Sequence, residues 1–227
     1  MLPIVPIVPI VPIAPIAQRS LISRAQAPAA LALTALLAAC AGQQAAISDA
    51  RYDLGPQAVQ AQQMQQAGAA PRGKPLLKVL DVSAPPPLDN DGIVYRMNAD
   101  SQRAARYANS RWTMSPARLL TERLRTALGA RATVLSGADA VPAPMLKIEL
   151  TDFEQVFESP TQSHGVLAAR ATLMQGGKVL AQRDFVASAP ATSPDAAGGA
   201  RALQAASDDF TSQVSAWLGA QAFAGTP

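Results

Sequence analysis

The sequence predicts an α+β fold: a single domain with a mostly antiparallel sheet and two main helices packed on one of its faces. Three observations predict it. Apolar and polar residues alternate over residues 146–153, 165–174 and 178–186, the period of half-buried strands. Gln175-Gly176-Gly177 separates the last two of these runs, a hairpin signal because glycine accepts positive φ. Residues 116–128 and 203–218 instead repeat their large apolar side chains at helical spacing. Strands, a helix, several further strands and a closing helix is the order of an α+β domain rather than of alternating βαβ units.

In chain order, Tyr52-Asp53-Leu54-Gly55-Pro56 reads as a short strand stopped by Gly-Pro, and residues 57–74 as a Gln/Ala-rich loop. Residues 76–82 alternate as a strand that Ala84-Pro85-Pro86-Pro87 ends; Asp89-Asn90-Asp91-Gly92 is a turn, and residues 93–98 form a second strand, the two together making an edge of the sheet. Ser115-Pro116 starts a helix, serine as cap and proline at the first helical position, where its missing N–H costs nothing. Leu120, Leu124, Ala127 and Leu128 share its inner face, with Arg118, Glu122, Arg123 and Arg125 mainly elsewhere, and Gly129 closes it. Residues 132–135 and 146–153 are strands, followed by the hairpin, a Ser/Ala/Pro/Gly linker over 188–199 and an amphipathic helix carrying Leu203, Phe210, Val214, Trp217 and Leu218.

The N-terminal forty residues carry a separate message. Residues 27–39 form an apolar run preceded by Arg19 and Arg24 and ending in Leu37-Ala38-Ala39-Cys40. That is an export signal with small residues at the cut, too short to anchor by spanning a bilayer, and its leucine, small, small, cysteine ending is the lipoprotein form. Residues 21–39 are therefore expected to be the signal peptide, Cys40 the lipidated first residue of the mature protein, residues 40–51 a tether, 52–222 the domain and 223–227 a tail. Burying acyl chains contributes roughly 0.8 kcal/mol per methylene, so several chains on one cysteine hold the domain to a membrane. Twelve residues from Cys40 to Tyr52 reach at most about 40 Å. Residues 1–20 place a proline at every third position up to Pro15, a polyproline pattern read as a mis-assigned start.

Composition excludes several functions. The formal charge of +3 falls to 17 − 16 = +1 once Arg19 and Arg24 leave with the signal, and no nucleic-acid partner is implied. One cysteine and one histidine, His164, supply neither an intramolecular disulfide nor a usual zinc set. Nucleotide, redox and zinc-hydrolase motifs do not occur. Glu149, Asp152, Glu154 and Glu158 lack an aromatic sugar platform nearby and read as a solvated face. The expectation is a protein with no catalytic residues, cofactor or metal. Eight arginines between residues 96 and 131 face only Asp100 and Glu122 within that stretch. Tyr107 and Trp112 among them suggest an interface, since Trp, Tyr and Arg are enriched at binding hot spots.

Tyr52-Asp53-Leu54-Gly55, Tyr95-Arg96, Tyr107-Ala108-Asn109-Ser110-Arg111-Trp112 with Pro116 four residues on, Asp152-Phe153-Glu154-Gln155-Val156-Phe157, and Ala202-Leu203 to Trp217-Leu218 occur in an order that resembles the ABC-type transport auxiliary lipoproteins, the paraquat-inducible protein C-like family. The resemblance implies a non-catalytic periplasmic lipoprotein accompanying an MCE-domain protein and its ABC permease and ATPase, which move phospholipid or other hydrophobic molecules between envelope membranes. Tyr95, Arg96, Tyr107, Arg111 and Trp112 are the expected partner-binding residues, Ala41 and Gly42 after the cysteine, with no aspartate directly behind it, fit outer-membrane sorting in the lipoprotein class, and a homo-oligomer is an option. Pro85-Pro86-Pro87 departs from the family, which often places a tryptophan-containing stretch there. The rival expectation is a lipid-carrying or lipopolysaccharide-assembly lipoprotein that encloses the cargo itself.

Overall fold

In the computed structural model, residues 49–57, 73–99 and 102–221 are described; the signal, Cys40, residues 41–48 of the tether, most of the 57–74 loop and the tail lie outside them. Every described element falls in one compact unit, Ile47–Pro227. Its strands are β1 (Ala50–Tyr52), β2 (Leu76–Val79), β3 (Gly92–Met97), β4 (Ala104–Trp112), β5 (Thr133–Leu135), β6 (Met145–Ser159), β7 (Gln162–Gln175) and β8 (Lys178–Pro190). The helices are α1 (Pro116–Leu128) and α2 (Ala196–Gln221), and no described helix is long and apolar enough to cross a membrane.

β6 is the spine of an eight-stranded mixed sheet. Along one edge it pairs antiparallel with β7 from Met145↔Met174 to Ser159↔Gln162, and β7 continues into β8. Its other edge is shared by two parallel strands, β2 at Met145 and Leu146 and β3 from Glu154 to Phe157. The α+β expectation stands: the long ladders are antiparallel, and short parallel pairings of β1 with β4 and β2 with β5 complete the sheet. The first two predicted strands do not form an edge. Each lies between two neighbours, β2 between β6 and β5, β3 between β4 and β6.

A register shift between Leu150 and Asp152 decides which side chains β6 buries. Before it Leu146, Ile148 and Leu150 face the core; after it Phe153 does, so alternation resumes one residue out of phase, as an extra residue in one strand requires. Leu167, Ala169, Ala171 and Leu173 of β7 and Phe185 of β8 share that face, and α2 lies over it with Phe210 and Trp217 edge-on to Phe185 at 5.9 and 5.8 Å. Gly165 permits this approach: a Cβ there would stand 2.7 Å from the Leu203 backbone nitrogen.

Two local readings are corrected. Ser115 precedes α1 but makes no side-chain capping bond, leaving Pro116 as the start signal. The stretch 188–199 is no linker, because β8 runs to Pro190 and α2 begins at Ala196. Asp195 caps α2, its Oδ1 accepting from the Gly198 N–H at 2.7 Å and from the Ser193 hydroxyl at 2.7 Å; these bonds hold its carboxyl below the usual range. The hairpin turns at Gly176 and Gly177 with φ of 55° and 79°, as two-residue turns between twisted strands demand.

Candidate functional site

The five residues implicated in partner binding do not converge. Trp112 is fully buried, edge-on to Phe153 at 5.5 Å, and therefore belongs to the core instead of meeting a partner directly. Tyr95 and Tyr107 pack on the helix-bearing face with tilted rings, centroids 4.8 Å apart, and Phe157 stands 6.1 Å from Tyr95. The Tyr107 hydroxyl donates to Gln155 Oε1 at 2.8 Å, and Gln155 Nε2 donates to Ser163 Oγ at 2.8 Å. Burial, with Asp195 and Tyr95 adding to it, pushes the Tyr107 phenol up to about 12. Gln155 is fully buried, and a Cβ at Gly199 would collide with its side-chain oxygen. The sequence pairs Tyr107 with its neighbouring arginines, whereas the fold pairs it with β6 and α2.

Arg96 points to the opposite, helix-free face. Its Nε and Nη2 donate to Glu154 Oε1 and Oε2 at 2.8 and 3.1 Å, a bidentate pair across the parallel β3–β6 ladder that raises the guanidinium pKa. Arg111 meets Asp49 at 3.4 Å, and Arg51 meets Asp91 at 2.8 Å, beside the short β1–β4 pairing.

Four of the eight arginines in the stretch pair with acids distant in sequence. Arg123 meets Asp208 of α2 at 2.8 Å and Arg125 meets Asp81 at 2.8 Å, in addition to the pairs of Arg96 and Arg111. Arg123 is only 4% exposed, and its Nη1 also donates to the Leu54 carbonyl at 2.7 Å. The outward position that helical spacing assigns to it is therefore wrong: it is a clamp between α1, α2 and the segment after β1. Sequence proximity made these arginines look like a patch, but their acids lie up to 85 residues away.

A cavity of about 530 Å³ lies on the helix-free face between the Pro85–Leu88 segment and strands β3, β4 and β6. Pro85, Pro87, Leu88 and Val94 line it together with Arg96, Arg106, Asp152 and Glu154, so its apolar floor has a charged wall. On the other face the space between sheet and helices is filled by buried side chains that include Trp112, Phe153, Leu167, Leu203 and Phe210.

A family model described as the ABC-type transport auxiliary lipoprotein component matches residues 52–215. Among solved structures the chain is similar to a protein from Xanthomonas campestris, at 20% identity and a TM-score of 0.56, over 65% of this chain and 88% of that one. It is also similar to an uncharacterized protein at 16% identity and 0.59, over 75% and 99%. A minor lipoprotein from Acinetobacter baumannii aligns at 13% identity and 0.39, over 65% and 94%. The first two likenesses show the fold alone, and no curated protein matches the chain.

Proposed function

Because the chain belongs to the ABC-type transport auxiliary lipoprotein family, we propose that it is the non-catalytic, lipid-anchored subunit of an ABC system built around an MCE-domain protein, moving phospholipid or other hydrophobic molecules between envelope membranes. The family match over residues 52–215 carries this reading. On it, residues 21–39 are removed, Cys40 receives the lipid, and the domain works on the periplasmic side of the outer membrane. Tyr95, Arg96, Tyr107 and Arg111 are the proposed contacts, with Trp112 supporting β4 from beneath.

The cavity geometry supports a docking subunit over a cargo carrier. Acyl chains need an apolar enclosure, whereas the cavity of about 530 Å³ sets Arg96, Arg106, Asp152 and Glu154 beside its apolar residues, and burying charge against hydrocarbon is costly. The tagged lipoprotein, extracted in mild detergent, should copurify an MCE-domain protein with a permease and an ATPase. Recovery of none of these, with stoichiometric lipid in the purified protein by mass spectrometry, would replace this reading by the carrier. The Cys40→Ser variant should lose incorporation of labelled palmitate and leave the membrane fraction; retention of both would remove Cys40 as the anchor.

A further inference from the structure

One end of the sheet gathers the chain's lysines. β2, β6 and β8 begin there and β7 ends there, because Lys78 aligns with Met145, Met145 with Met174, and Met174 with Val179. The four lysines of the sequence, Lys74, Lys78, Lys147 and Lys178, are all at that end. Arg131, just before β5, joins them, because β5 runs parallel to β2 with Leu76 beside Thr133.

Lys178 is exposed, and Lys74, Lys78 and Lys147 are half-buried. The ammonium groups of Lys74 and Lys78 donate to main-chain carbonyls, those of Gly129 at 2.8 Å and Asp139 at 2.6 Å, which leaves their charge without a carboxylate. Lys147 is paired with Glu149 at 3.0 Å; of the other acids near this end, Asp139 accepts from Ser136 and Asp81 meets Arg125 at 2.8 Å. The tip also exposes aliphatic side chains: Val179 is 59% and Leu180 52% exposed beside the glycine turn, with Leu76 and Val141 at 39% and 44%.

We infer that this lysine-bearing end, with the hairpin tip at Val179 and Leu180, is a docking surface for an anionic phospholipid membrane. The choice of lipid over protein follows from the side chains. Lysine is depleted from protein–protein interfaces, which favour Arg, Met and aromatic rings; flexible, strongly hydrated lysines around a few aliphatic groups suit a headgroup layer with acyl chains beneath. The charge is complementary, since each cation near an anionic leaflet strengthens binding roughly fivefold. The inference needs the protein to work beside a bilayer but not to belong to a transporter.

The test uses the non-lipidated chain from Ala41, which retains the whole compact unit, in sedimentation with vesicles of phosphatidylcholine alone or mixed with phosphatidylglycerol. Binding should appear only with the mixed vesicles and weaken with salt. The double variant Lys78→Gln, Lys178→Gln should lower it roughly 25-fold, Val179→Asp should also reduce it, and Met97→Asp at the opposite end should leave it unchanged, all at unaltered melting temperature. Equal binding to both vesicle types, no binding to either, or indifference to the lysine substitutions would overturn the inference. Vesicle binding without transporter copurification would instead overturn the transporter reading and leave this surface standing.

Discussion

Arg123 spends its guanidinium on the Leu54 carbonyl at 2.7 Å and on Asp208 at 2.9 Å, yet its two partners differ in worth because the Asp208 side chain is 44% exposed and that of Arg123 3%. Arg123→Ala should cost about 3 kcal/mol, since it strips a buried carbonyl of its donor, whereas Asp208→Ala should cost under about 1 kcal/mol; thermal melting distinguishes them. Trp112→Ala should cost about 3–5 kcal/mol. Trp112→Phe should be milder, because the indole N–H it removes has no acceptor among the described residues. Tyr107 supplies a pH signature. Its phenol is neutral when protonated and titrates near 12 in the folded protein against about 10 unfolded, so above pH 10 the unfolded chain loses the proton first. The contribution is present below pH 10 and is lost as pH rises towards 12; ultraviolet titration should show one of the three tyrosines ionising late.

At the scale of elements, the contact of α2 with β7 is set by a missing methyl group. Gly165→Ala places a carbon 2.7 Å from the Leu203 backbone, which cannot swing aside as a side chain would, and should destabilise by about 1–3 kcal/mol. Gly219→Ala, late in the same helix with nothing within 4 Å, should stabilise by about 0.5–1 kcal/mol; calorimetry on both variants tests the assignment. The β7–β8 hairpin and both helices were legible because period and punctuation agreed. β4 was not: Ala104-Ala105-Arg106-Tyr107-Ala108 offers no apolar alternation, since most of that strand is exposed. The start of α2 was missed for a related reason. Ala196 to Ala200 is small and glycine-rich because it packs tightly against β6 and its own cap, and such composition imitates a linker.

Across the whole molecule, sequence order and spatial order diverge most for charge. Seen along the chain, Arg96 to Arg131 is a basic block; in space, Glu154, Asp49, Asp208 and Asp81 meet four of its arginines. The lysines behave oppositely, scattered over a hundred residues yet brought to one end by the parallel alignment of β2 with β6. No local pattern announces that, because register between distant strands is a tertiary property. The fold class and family were thus readable from segments, while the proposed contact residues were separated by facts only the assembled sheet supplies.

The three-residue strand β1 has a mechanical consequence. On the proposed anchor at Cys40, a pull on the N-terminal side of the described residues would enter at Asp49, before Ala50–Tyr52 runs parallel to β4. The ladder is held at its start by Asp49 with Arg111 and Arg51 with Asp91, and just beyond its end by Arg123 on the Leu54 carbonyl. Pulling along that strand loads these bonds together instead of peeling them singly. A leash joined there would have to break several bonds at once to free the strand.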